Sequence, residues 1–214
     1  MSADLDFFID PVCPWCWITS RWVGHVQKVR DYAITWRFIS LKIINEQTVA
    51  DWYTPDYKAG HMAGLRALRV ADAIRLEHDN DAVGRFYTAI GTRIHVQRRG
   101  GAELREKTLE LITESLDEAG LPAELSTASD DESHDTYLRS ETEIAFSRTG
   151  PGVGTPILTF RPGAENEGSF FGPVIAKAPR GEDAVALWDA IALIATTSGV
   201  AELKRSLRDK PQFD

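Results

Sequence analysis

The chain has 214 residues, 43% of them hydrophobic and 26% charged, as in an ordinary soluble globular protein of one domain with a large insertion or two small ones. Its net charge of −8 argues against nucleic acid as a partner, because phosphate binding needs a basic face. Residues 1–6 carry neither a basic n-region nor an apolar h-region, and the uncharged run from Ala190 to Ala201 is too short to cross a bilayer. A cytoplasmic protein that does not engage membranes is expected.

In chain order, Asp4 to Asp10 reads as a short apolar strand, followed by Cys13-Pro14-Trp15-Cys16. Ile18, Trp22, Val26 and Val29 then recur at helical spacing, with Arg21, Lys28 and Arg30 on the opposite face. Ile34, Trp36 and Phe38 alternate with Thr35, Arg37 and Ile39, and with Leu41 and Ile43-Ile44 they predict a second strand. From Glu46 the pattern turns helical, with stripes at Leu65/Leu68/Ala71/Ile74, at Val83/Phe86/Tyr87/Ile90/Ile94 and at Leu109/Ile112/Leu116. Gly120-Leu121-Pro122 ends the third stripe. The acidic stretch from Ser126 to Asp135 predicts a solvated loop and a helix start, not a binding site. Asp130-Asp131 then cap a helix through Tyr137, Leu138, Glu141 and Ala145. Strand character resumes at residues 156–160, turns at Arg161-Pro162-Gly163 and returns at residues 169–172. A last helix, Glu182 to Thr197, directs Val185, Trp188, Ile191 and Ile194 inward. The expected fold is α/β: a thioredoxin fold, β-α-β … β-β-α, interrupted by a helical insertion. The expected segments are 1–45, 46–150 and 151–214.

The cysteine pair is the chain's whole thiol content. Strand, C-x-x-C and helix in that order form the redox arrangement of a thioredoxin-like fold. Two intervening residues place the first sulfur just outside a helix, facing unpaired N–H groups and the positive end of the helix dipole. Both favour thiolate: a cysteine with pKa about 8.5 is about 3% ionised at pH 7, one lowered to about 6 roughly 90%. Pro14 suits the first helical position. Cys13 is the expected nucleophile and Cys16 the resolving thiol. A zinc site needs four ligands, and the five histidines do not pair at the required spacing. Haem attachment needs histidine where Trp17 stands. A structural disulfide is unexpected without an export signal.

The split arrangement resembles the DsbA-like family, in which a helical insertion covers the active site. Gly152-Val153-Gly154-Thr155-Pro156 is similar to that family's loop before the third strand, which implies a cis Pro156 and a Thr155 backbone that offers itself to substrate. A closer resemblance covers most of the chain. Residues 8–22, together with Phe170-Phe171-Gly172-Pro173-Val174, Pro179-Arg180-Gly181-Glu182, Leu187-Trp188-Asp189 and the tail Pro211-Gln212-Phe213-Asp214, look like mycothiol-dependent nitroreductases. That resemblance implies substrate- or thiol-binding roles for Trp15 and Pro14 beside the thiols, and for Asn45 and Tyr57. It also makes His95 of Arg93-Ile94-His95 a candidate, although Val96 replaces the family's usual asparagine. Asp10 is a candidate to relay a proton to Cys16, against the plainer reading of a turn-forming Asp.

The leading expectation is thus a cytosolic oxidoreductase that reduces disulfides and nitroaromatic small molecules through Cys13 and Cys16. Mycothiol is the reductant, with no metal and no flavin. Its partners are small thiols, disulfides or nitro compounds. A homodimer is compatible with six tryptophans and an apolar last helix. The alternatives are a general protein-disulfide oxidoreductase and a non-catalytic redox-sensing or metal-binding protein. A thiol-binding isomerase or transferase would place serine at position 13.

Overall fold

The structure is a computed structural model that describes residues 4–213. Strand β1 (Leu5–Ile9) is buried along its whole length, so its sequence is a continuous apolar run broken only by Asp6. Asp6 is neutralised by Arg37 at 3.1 Å and Arg148 at 2.7 Å. Helix α1 (Pro14–Gln27) follows, then β2 (Ile34–Phe38). Near the C-terminus, β3 (Ile157–Phe160) and β4 (Gly168–Phe171) form a hairpin. The strands form one sheet in the order β2-β1-β3-β4, with β3 antiparallel to both neighbours. Leu5 lies opposite Phe160, and Phe8 opposite Ile157.

Between β2 and β3 run α2 (Leu41–Ile44), α3 (Pro55–Glu77), α4 (Asn80–Gly91), a π-helical turn (Thr92–Val96), α5 (Ala102–Glu106) and α6 (Thr108–Glu118). Two 3₁₀ segments (Ala123–Asp130 and Glu132–His134) lead into α7 (Asp135–Thr149). The closing helix is α8 (Gly181–Thr196). The chain divides into two compact units. One comprises the residues up to Ile9, Pro14–Arg37 and those from Ala145 onward; the other comprises Asp10–Cys13 and Phe38–Ile144.

In the first unit, α1 and α8 pack together, and Trp188 makes ring contacts with Trp22, Tyr32 and Phe160. The Trp22 indole N–H donates to the Ala184 carbonyl at 2.9 Å, giving a buried donor its partner. In the second unit, Thr54 caps α3 ahead of Pro55, and Asp79 caps α4 by accepting from Ala82 N at 2.7 Å. The first two predicted stripes are buried as expected. Arg69 is itself buried and forms a fork on Asp135 at 2.7 and 2.8 Å.

Several elements differ from the sequence pattern. Leu41, Ile43 and Ile44 do not extend β2 but form α2, because Ser40 caps a helix there by accepting from Ile43 N. Val29 lies beyond the end of α1 and is 61% exposed. In α6 the buried face is Leu111, Ile112, Ser115 and Leu116, leaving Leu109 in solvent. The acidic stretch begins as 3₁₀ helix in place of the expected loop, packed on α3 with Ala128 and Ser129 buried, and at its end Asp135 starts α7 as expected. Asp131 caps the short segment before α7, accepting from Ser133 N. In α8 the fully covered residues are Ala184 and Ala195, whereas Val185, Trp188, Ile191 and Ile194 are half-buried.

The small residues on α8 have a counterpart in β4. A Cβ built on Gly168 would stand 1.9 Å from the Ala195 carbonyl oxygen, which is backbone and has no rotamer to yield. Gly168→Ala is expected to cost about 3 kcal/mol or more through overpacking. Urea unfolding monitored by tryptophan fluorescence would show this as a lower midpoint.

Candidate active site

The segment before α1 is a turn written into its residues. Pro11 supplies a preset φ, and the main chain closes with Cys13 N–H donating to the Asp10 carbonyl at 3.1 Å. Pro14 then opens α1, so Cys13 directly precedes the helix and its first-turn N–H groups. Cys13 and Cys16 are 4% and 0% exposed, and both are present as thiols rather than as a disulfide.

Cys16 lies in the first turn of α1, where its thiol donates to the Thr155 hydroxyl oxygen at 3.2 Å. Thr155 and Pro156 are joined by a cis bond at the start of β3, as the resemblance implies. Gly172-Pro173 is also cis, which the sequence reading did not foresee. The Gly172 N–H donates to the Pro156 carbonyl at 2.8 Å, and Thr19 of α1 donates to the Pro173 carbonyl at 2.9 Å. Gly172 has φ +106°, a conformation that suits glycine. Trp15 and Pro14 are half-buried. The structure thus brings Cys16, Thr155 and Pro156 together. It gives the Thr155 side chain a contact with a thiol, where the resemblance implies a role for its backbone.

Asp10 is fully buried. One carboxylate oxygen accepts from Val12 N at 2.9 Å, the other from Leu41 N at 2.7 Å. Burial pushes its carboxyl up from the usual 3.8 to about 6, and the two main-chain donors only partly offset this. The carboxylate contacts are therefore with the main chain of its own turn and of α2. His95, only 7% exposed, lies in the π-helical turn and donates from Nε2 to the Pro11 carbonyl at 2.9 Å. That turn is braced by Arg93 on Glu114 and Glu118 and by Arg99 on Glu103 and Glu114. π-Turns concentrate at functional positions.

The remaining candidates have local partners. Asn45 donates to the Leu41 carbonyl at 2.8 Å and accepts from Thr48 at 3.3 Å, which ties off α2. Tyr57 is 55% exposed at the start of α3, edge-on to Trp52 and His61. Sequence reasoning missed Gly64 of α3, whose absent side chain makes room for Val12 Cγ2 and Asp10 Oδ1; a Cβ there would stand 2.8 and 3.0 Å from them. A glycine inside a helical pattern was the available signal, which Gly64 shares with Gly60 of the same helix. Among the described residues no cluster of His, Cys, Asp and Glu has the arrangement of a metal site, and no helix is long and apolar enough to cross a membrane.

The buried Asp10 makes stability depend on pH. Its folded-state pKa lies above the unfolded value, so its ionisation disfavours folding as pH rises from about 4 through about 6, by roughly 3 kcal/mol in the limit. Wild type should gain stability over Asp10→Asn on going from pH 7.5 to pH 4.5. Paired urea titrations at the two pH values check this, and an equal difference at both would contradict it.

Residues 12–205 match the family model described as the Rv2466c-like mycothiol-dependent nitroreductase Rv2466c. The uncharacterised protein Rv2286c of Mycobacterium tuberculosis is 29% identical over 202 residues, covering 94% of this chain and 81% of that one. Among solved structures, a candidate protein disulfide isomerase from Nitrosomonas europaea aligns with TM-score 0.55 at 16% identity, covering 89% of this chain and 97% of that one. The disulfide oxidoreductase DsbA from Proteus mirabilis aligns with TM-score 0.51 at 14% identity, covering 92% and 89%. The fold is DsbA-like thioredoxin.

Proposed function

Because this chain belongs to the Rv2466c-like family of mycothiol-dependent nitroreductases, a redox family, we propose that it reduces disulfides and nitroaromatic small molecules with mycothiol as electron donor. The observation that carries the reading is the Cys13-Pro14-Trp15-Cys16 pair at the mouth of α1, with Cys16 bonded to Thr155.

The Cys13 thiolate attacks one sulfur of a substrate disulfide, forming a mixed disulfide and expelling the other half as a thiolate. Cys16 then gives up its proton and attacks the Cys13 sulfur. The Cys13–Cys16 disulfide closes and the second half leaves as a thiol. Two mycothiol molecules restore the dithiol and leave as mycothiol disulfide. For a nitro compound, closing the disulfide delivers two electrons; with two protons these convert the nitro group to nitroso and water.

The first α1 turn favours the Cys13 anion through its unpaired N–H groups. Thr155 holds the Cys16 hydrogen until resolution. Asn45 and Tyr57 belong to the proposed substrate- and thiol-binding residues, with Trp15, Pro14, Thr155 and Pro156, and the cytoplasm is the proposed compartment.

Cys13→Ser is expected to lower disulfide and nitro reduction at least 100-fold in steady-state assays with mycothiol. Cys16→Ala incubated with mycothiol disulfide should retain one mycothiol on Cys13 by intact-mass spectrometry. Full turnover by the serine variant would end this reading. Selective turnover with thioredoxin-type donors would favour a general protein-disulfide oxidoreductase instead. Thr155→Val removes the oxygen that receives the Cys16 hydrogen. It should change the rate at which the Cys13 adduct is resolved by several-fold, while adduct formation, followed by rapid-quench mass analysis, stays within twofold.

A further inference from the structure

Cys13 belongs by its contacts with Asp10–Cys13 and the helical unit, so what fixes that short segment fixes the sulfur. Asp10 reaches both ways from its start: forward to Val12 N within the turn, and across the sequence to Leu41 N at the first position of α2. Pro11 is held through its carbonyl by His95, and the Val12 side chain fills the space that a Cβ on Gly64 would need. A neutral side chain of the same shape would satisfy one main-chain donor and leave the other facing an amide NH₂. Only a carboxylate offers an acceptor to each.

We propose that Asp10 is a positioning residue for Cys13, its carboxylate clamping the Asp10–Cys13 turn to the start of α2 so that the turn carrying the nucleophilic sulfur is held in one conformation. The inference rests on Cys13 being the nucleophile, and it assigns Asp10 a task other than passing a proton to Cys16. Buried ionisable groups that disfavour folding mark sites where function outweighs stability. Gly64 completes the clamp from the opposite side, since any Cβ there displaces Val12 or the Asp10 oxygen.

The test uses the Cys16→Ala chain, in which Cys13 is the remaining thiol, and follows its alkylation by iodoacetamide from pH 5 to pH 9. Asp10→Asn is expected to slow alkylation at neutral pH about fivefold or more and to move the midpoint of the rate profile upward, with the far-UV spectrum unchanged. Gly64→Ala, which keeps the carboxylate but crowds it and Val12, should act in the same direction. A charge-only effect of Asp10 has the opposite sign: loss of a nearby negative charge would speed alkylation and lower the midpoint. Faster alkylation in Asp10→Asn, or an unchanged profile in a folded Asp10→Asn chain, would overturn the proposal. Should Asp10→Asn fail to fold, Gly64→Ala decides by the same criterion. If the parent thiol itself reacts no faster than a cysteine peptide, the nucleophile assignment fails instead.

Discussion

The Asp10 carboxylate, buried between the Val12 and Leu41 N–H groups, is the constraint on which the arrangement around Cys13 turns. A reactive sulfur at a helix mouth gains from the N–H groups only if its main chain enters the helix in one way. Here the turn that carries Cys13 is set by Pro11, by the Asp10–Cys13 main-chain bond, and by the His95 and Asp10 side chains that grip it. A charged group with no water around it is an expensive device. Its two main-chain partners and its raised pKa show both how it is tolerated and how incompletely.

The second sulfur is handled differently. Cys16 is fully buried, and its thiol hydrogen is taken by a hydroxyl 139 positions further along the chain. Thr155 stands there because β3 begins at the next residues and pairs with β1, whose end leads into the C-x-x-C. The sheet is therefore what brings the Cys16 thiol to its partner. The hairpin partner β4 adds Gly172 and Pro173, which bond to Pro156 and to Thr19 and so fix the loop from both sides. The two thiols thus have separate supports, one a clamped turn and one a strand start.

The legible parts of the sequence were those governed by local rules. Strand β1, the C-x-x-C, the α1 start at Pro14 and the buried stripes of α3 and α4 follow from periodicity and backbone preference over a few residues. The cis bond at Pro156 was reached only through resemblance, since nothing in Thr155-Pro156 alone dictates it. Where reading by periodicity failed, a partner decided. Leu41 to Ile44 look like a strand until Ser40 caps them. The polar run before Asp135 looks like a loop until Leu125 and Ala128 find α3.

The sequence by itself determined that this chain keeps a single dithiol at a strand-to-helix junction, because two cysteines, a proline and flanking apolar periodicity act at short range. The tertiary structure decided what those thiols meet. Asp10 and Leu41, His95 and Pro11, Cys16 and Thr155 are pairs far apart in the chain, and their hydrogen bonds exist only once packing has brought the elements together. A buried carboxylate reads in sequence as an ordinary turn aspartate. Its ionisation is set by the water that folding removes, a quantity no local pattern carries.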